Sequence, residues 1–158
     1  LEREEGFRNA SGAPEFGGLD LQFYSSEKIS SDSLYCQLEG ESGMRYFLSR
    51  KKRPTAVIAY NALVGLYARR TAEISGVRVP EDLSIIGIDR PDFASWQELS
   101  LTCVDHPLTE MGEAAARLLI AKIENSEDSA VPRYFCGELI ENATTAEPGT
   151  KLKQQESK

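Results

Sequence analysis

Two short apolar runs, residues 55–60 (TAVIAY) and 83–88 (LSIIGI), constrain the fold of this chain more than any other feature. Both are strand-length, and neither alternates cleanly, which suits strands buried on both faces. Pro54 opens the first run and Asn61 closes it, while Asp89 closes the second. Between them Leu63, Val64, Leu66, Tyr67, Ala68, Ala72 and Ile74 recur at helical spacing, and Gly76 follows as a stop. Asn61 stands where its side-chain oxygen can accept a first-turn backbone N–H and cap that helix. A strand, a helix long enough to cross back and a second strand make a parallel crossover. The chain is therefore expected to be α/β, with a mostly parallel sheet covered on both faces by helices.

The flanking segments extend this pattern. Leu1, Phe7 and Ala10 lie among charges as in the last part of an amphipathic helix, which Ser11-Gly12-Ala13-Pro14 stops. Residues 19–24 (LDLQFY) alternate and read as a strand, and the serine-rich residues 25–33 as a loop. A helix is expected within 34–50, best defined over 42–49 because Gly40 and Gly43 interrupt the apolar pattern. Lys51-Lys52-Arg53 then reads as solvated charge complementing the helix dipole. Residues 90–100 form an irregular loop, 101–104 (LTCV) a strand and 134–140 a last strand. The clearest helix is 109–124, with Met111, Ala115, Leu118, Leu119 and Ile123 along one stripe. Residues 142–148 read as extended, and the polar tail from 149 to 158 is expected to be disordered.

Composition excludes several functions. In 158 residues, 18 Lys and Arg face 25 Asp and Glu, a net charge of −7 that repels phosphate backbones, so this segment is not expected to grip nucleic acid itself. A single histidine, His106, rules out His-rich metal sites, and no metal site is expected. Cys36, Cys103 and Cys136 are widely spaced and odd in number, which fits free thiols in a reducing compartment. The apolar neighbours of Cys103 and Cys136 predict inert burial. No apolar run approaches the roughly 18–20 residues of a membrane span. The start, Leu1-Glu2-Arg3-Glu4-Glu5, is neither signal peptide nor initiator Met, and it reads as a cytoplasmic chain entered partway through. The sequons at Asn9 and Asn142 would matter only in an exported protein.

Glycine-rich phosphate loops and the Gly-x-Ser-x-Gly elbow are absent. Asp105 and His106 are adjacent, and neighbours in sequence seldom converge on one substrate; Glu81-Asp82 and Glu127-Asp128 read as solvated turns. No catalytic residue and no cofactor is assigned. The polar residues at strand ends are more informative, because open α/β sheets bind ligands outside the carboxyl ends of their strands. Asn61 and Asp89 occupy two such ends. As a cap and a turn residue they would be purely structural. As a ligand site they would offer an amide and a carboxylate to vicinal hydroxyls, as on a sugar.

The stretches Pro54-Thr55-Ala56-Val57-Ile58-Ala59-Tyr60-Asn61 and Gly76-Val77-Arg78-Val79-Pro80-Glu81-Asp82-Leu83-Ser84-Ile85-Ile86-Gly87-Ile88-Asp89 resemble the LacI/GalR family of transcriptional regulators. So do Leu101-Thr102 and the run from Pro107-Leu108 to Met111-Gly112, in family order and spacing. The resemblance covers most of residues 1–148 and concerns the effector-binding region. It implies a type I periplasmic-binding-protein-like fold, a three-layer sandwich in each of two lobes, with the ligand cleft between them. It also implies ligand contacts at Arg3, Asn61 and Asp89, an aromatic near Tyr35, and a cleft position at His106, where the family often has Gln. Leu66 and Trp96 resemble positions that pack two subunits together. Two departures stand out: Ala62 follows Asn61 where the family usually has Asp, and Arg90 follows Asp89 where an acidic or amide residue is usual. Arg90 hints at an anionic effector, with solvent as its alternative destination.

By family topology, residues 1–106 and 143–148 belong to the second lobe, and 107–142 supply a helix and a strand to the first. The resemblance therefore implies a cytoplasmic, dimeric sensor of a small molecule, a sugar above all, acting on DNA only through a separate N-terminal helix-turn-helix. The alternatives are a periplasmic sugar-binding protein of a transport system and an α/β enzyme acting on sugars.

Overall fold

A computed structural model describes residues 2–14, 19–25, 33–90, 100–124 and 133–147. Its elements are α1 (Glu2–Ser11), α2 (Ser33–Ser49), β1 (Ala56–Ile58), α3 (Ala62–Ile74), β2 (Ser84–Ile88), β3 (Thr102–Asp105), α4 (Leu108–Ile123) and β4 (Glu138–Ile140). The sheet has the order β1-β2-β3-β4, with the first two pairings parallel and the last antiparallel. The expected crossover from β1 through α3 to β2 is present, and the fold is the mostly parallel α/β type read from the sequence.

Local chemistry sets the limits of the crossover. The Val64 backbone N–H donates to Asn61 Oδ1 at 2.8 Å, so Asn61 caps α3 as its position predicted. Gly76, at φ +80°, takes the left-handed conformation just beyond the helix end. Inside, Met44, Ala62, Leu66, Ala68, Ala72, Leu83, Ile85 and Leu101 form one core, with Ile85 fully buried. Removing Leu83, Ile85 and Met44 from water contributes roughly 1.5–3 kcal/mol each. Leu66, expected at a subunit interface, packs within this core, where its place on α3 sets it beside Ala62. Trp96 lies outside the described residues.

Helix α2 runs unbroken through both glycines. A Cβ at Gly40 would come within 2.6 Å of the Val64 carbonyl oxygen and 2.7 Å of Tyr67 Cβ, and one at Gly43 would press on the Tyr24 ring. The two glycines that interrupt the apolar pattern thus let α2 lie close against α3 and the preceding segment. Residues 19–24 are not a strand: they join no ladder, and their burial does not follow the apolar alternation, with Leu19 exposed. Phe23 meets Phe7 edge-on at 6.2 Å, Tyr24 packs on Tyr46 and Phe47 of α2, and the Gln22 side chain donates to the Lys52 carbonyl. The last strand is shorter than expected, with only Glu138–Ile140 paired to β3. Cys136, just before it, is exposed, correcting the expectation of burial: the stretch lies on the outer edge of the sheet, where apolar sequence neighbours do not ensure cover.

The chain after β4 returns to the sheet. Fully buried Thr144 sits between β2 and β3, its backbone carbonyl accepting from the Ile85 N–H and its hydroxyl donating to the Ile85 carbonyl. The same Oγ1 accepts from the Thr102 N–H at 2.8 Å. Asn142 gives its side-chain amide to the Leu101 carbonyl, so the sequon it heads is part of the internal hydrogen bonding. Among the described residues no helix is long and apolar enough to cross a membrane.

Candidate functional site

The carboxyl ends of the three parallel strands bring together Tyr60 and Asn61 after β1, Asp89 and Arg90 after β2, and Asp105 and His106 at the end of β3. The β2–β3 register, with Ile88 opposite Val104, continues one step further as the Asp89 N–H donates to the Val104 carbonyl at 2.9 Å. The two doublets then pair crosswise. His106 Nδ1 lies 2.6 Å from Asp89 Oδ1, and Arg90 Nε lies 3.3 Å from Asp105 Oδ2. Each carboxylate faces a donor, which avoids setting the two acids against each other. Arg90 is largely solvent-exposed, so its pair with Asp105 contributes at most about 1 kcal/mol. Asp89 and His106 are both partly accessible to solvent.

Asp89 has φ +66°, a left-handed conformation uncommon for a residue with a side chain but better tolerated by Asp than by most. Strain of this kind clusters at functional positions. It turns the carboxylate off the strand's alternation and toward the end of β3.

The β1 end is built differently. Besides capping α3, Asn61 directs Nδ2 toward Cys36 Sγ at 3.5 Å. Cys36 and Glu39, on neighbouring turns of α2, are both buried. Burial pushes the Tyr60 phenol up, and the nearby Cys36 and Glu39 add to the shift, so Tyr60 stays a neutral hydrogen-bonding group. Tyr35 precedes Cys36 on α2 and is half-buried. Arg3 lies in α1, and its side chain is outside the described set.

Burial pushes the Cys103 thiol up, helped by the carboxylates of Asp105 and Asp89 and opposed by Arg90, so it is held in its unreactive protonated form. No group of three or more His, Cys, Asp or Glu able to hold a metal occurs among the described residues. A depression of about 210 Å³ lined by Met44, Phe47, Arg53, Val77 and Leu83 lies at the opposite, amino end of β1 and β2. Its one acid, Asp82, is already paired with Arg78.

The structure therefore joins Asp89 to His106 and sets Asn61 at the neighbouring strand end. The cross-pairing with Arg90 and Asp105, and the Cys36–Glu39–Tyr60 surroundings of Asn61, were not read from the sequence. The first had a legible signal, since two charged doublets ending adjacent parallel strands must meet. The second had none, because it depends on how α2 docks.

Residues 2–145 match the family model for the periplasmic binding protein-like domain. The chain is 41% identical over 106 residues to the arabinose metabolism transcriptional repressor of Geobacillus stearothermophilus, covering 65% of this chain and 29% of that protein. It is 35% identical over 123 residues to the transcriptional regulator CelR of Thermobifida fusca, covering 78% of this chain and 34% of that protein. Among solved structures it resembles a CelR–cellobiose complex, with a TM-score of 0.73 and 29% identity over 90% of this chain and 42% of the other. It likewise resembles the Escherichia coli transcriptional repressor ascG, with a TM-score of 0.69 and 26% identity over 92% of this chain and 50% of that one. The chain thus spans about a third of the length of these two curated relatives.

Proposed function

The chain belongs to the periplasmic-binding-protein-like domain family, in the form carried by LacI-family regulators, and from that premise we propose that it is the ligand-sensing region of a bacterial transcriptional regulator. Its ligand is a small polar metabolite, a sugar above all. The observation that carries this reading is the set of polar groups at three adjacent strand ends, with Asp89 and His106 in contact and Asn61 beside them. Asp89 and His106 present acceptor and donor capacity toward hydroxyl groups. Asn61 keeps part of its hydrogen-bonding capacity after capping α3, since an amide oxygen has two lone pairs and the amide nitrogen two hydrogens. A relative solved with cellobiose supports a sugar as the ligand class. Arg3 and Tyr35 are carried as further contacts by the family pattern alone.

In this reading residues 1–106 and 143–148 form the second lobe, and 107–142 complete the first. The exposed apolar side chains of α4 support that division, because nothing among the described residues covers them. Ligand binding closes the lobes and shifts the balance between two arrangements, which a DNA-binding head reports to the operator. Such a regulator works in the cytoplasm, as a homodimer and without catalysis. The regulators among its relatives favour this over a transport-type sugar-binding protein.

The test uses the regulator that carries this chain. Asp89→Ala should leave operator binding intact and abolish its release by the inducing sugar, and Asn61→Ala should weaken that release. A full response in both variants would overturn the site.

A further inference from the structure

We propose that the depression at the amino end of β1 and β2 is a binding site in its own right, which takes a small carboxylate with one ring or one branched chain as its apolar body. The site lies at the opposite end of the sheet from the strand-end cluster, and the proposal does not rest on the sensing role above.

The lining is apolar and firmly held. Met44 and Leu83, 1% and 2% exposed, are its most deeply buried members, with Phe47, Leu48 and Val77 beside them. Leu48 and Val77 also pack against the main core, so the contacts that hold α2 and α3 to the sheet fix the shape of the depression as well. Its volume is about 210 Å³. An apolar cavity of about 150 Å³ takes a benzene-sized molecule, so one ring or one branched chain fits here. Water in a hollow with so few polar partners is readily displaced by an apolar group. Strand β2 spans five residues, so roughly 17 Å, at about 3.3 Å per residue, separates this site from Asp89.

The polar rim selects the charge. Two ion pairs close by are balanced internally: Arg78 donates to both carboxylate oxygens of Asp82, and Lys52 lies 3.0 Å from Asp20. Arg50 and Lys51 directly follow α2, where cations answer the carbonyl end of the helix, and Arg50 also covers the Tyr46 ring. Arg53 has neither occupation. It is exposed, and its side chain pairs with no carboxylate among the described residues. The end of α3 does not call for it either, since the carbonyls of Thr71, Ala72 and Glu73 already accept from the N–H groups of Ser75, Val77 and Gly76. An arginine left over at the edge of an apolar hollow suits a carboxylate, which a guanidinium grips with two parallel hydrogen bonds. Arg53 is the one cation among the described lining residues, which matches a single negative charge better than a phosphate dianion. The neighbouring Arg50, Lys51 and Lys52 make the local field positive in a chain of net charge −7.

The test uses the regulator that carries this chain, labelled at its methionine methyl groups and followed by NMR. Met44 lines the site and Met111 lies on α4, and each signal is assigned by its loss in Met44→Leu or Met111→Leu. Millimolar phenylacetate should move the Met44 signal and leave that of Met111 in place. Phenylacetamide, which keeps the ring and lacks the charge, should bind at least tenfold more weakly. Acetate, which keeps the charge and lacks the ring, should not move Met44. Arg53→Gln, at an exposed position that leaves the core intact, should weaken phenylacetate binding at least tenfold and leave phenylacetamide unaffected. A Met44 signal that millimolar phenylacetate does not move overturns the site. Equal binding of acid and amide, or full affinity for phenylacetate in Arg53→Gln, overturns the role of Arg53 and with it the preference for a carboxylate. The response of the regulator to an inducing sugar is read separately, so this proposal and the sensing role stand or fail independently.

Discussion

Helices α3 and α4 are close in length, 13 and 16 residues, and both carry an apolar stripe at helical spacing, yet their surroundings are opposites. Seven residues of α3 are buried, and its first turn is capped by Asn61. On α4 only Ala114 is buried, Pro107 provides no side-chain cap, and Leu119 and Ile123 are 61% and 71% exposed. An apolar stripe thus encodes the need for a partner without saying whether the same segment of chain supplies it. For α3 the partners are α2 and β2, reached by a short crossover. For α4 they are absent from the described residues, as the proposed assignment of this helix to the other lobe requires.

The largest expected effects come from breaking the α3 side of this contrast. Ile85→Ala, at a fully buried position facing that core, should cost about 2–5 kcal/mol in urea denaturation. Leu119→Ala on α4 should cost under about 0.5 kcal/mol, as for a surface change. If the two losses are similar, α4 has a partner within this chain and the contrast fails.

The same contrast shows which parts of the fold were legible. The crossover was readable because strand runs, cap and stop all lie within one contiguous stretch, from Pro54 to Asp89. Residues 19–24 were misread because the apolar alternation of Leu19, Leu21 and Phe23 is not matched by cover: Leu19 is exposed, and Phe23 packs on Phe7 of α1 rather than beside a strand. Gly40 weakens the helix pattern in sequence, and its reason appears only when α3 lies against it. At the candidate site, the placing of Asn61 and Asp89 at neighbouring strand ends was legible from position alone, since polar residues ending buried strands are few. The partner of Asp89 was not, because the left-handed turn at Asp89 determines which of the next strand's two terminal residues it meets.

A second prediction concerns the uncovered stripe itself. Leu119, Ile120 and Ile123 give the chain an adhesive surface, so the isolated chain should self-associate through α4. Leu119→Glu should weaken that association by about tenfold, roughly 1.4 kcal/mol, in sedimentation across a concentration series. A wild-type chain that is monomeric at every concentration would mean that α4 folds back onto its own sheet.

Asn61→Ala sharpens the comparison from the α3 end. Losing the bond from the Val64 N–H should cost about 1 kcal/mol, read by urea denaturation. Asp89→Gly should instead leave stability unchanged or slightly raised, because glycine takes a positive φ without steric cost. A residue kept at a strained position against its own stability is one kept for what its side chain does. If Asp89→Gly is as destabilising as Asn61→Ala, the carboxylate serves the fold, and its strained turn no longer supports the proposed ligand role.

The smallest effect separates the two environments at a single atom. A methyl group added at Gly112 of α4 meets nothing within 4 Å, whereas at Gly40 of α2 it meets the backbone of α3. Gly112→Ala should therefore stabilise the chain by about 0.5–1 kcal/mol through helix propensity alone. The same substitution at Gly40 should destabilise it, since the propensity gain is outweighed by forcing α2 away from α3. Thermal melts of the two variants give the sign directly. A loss at Gly112 would place another surface against α4 at that turn, and the two helices would then differ in what covers them rather than in whether they are covered.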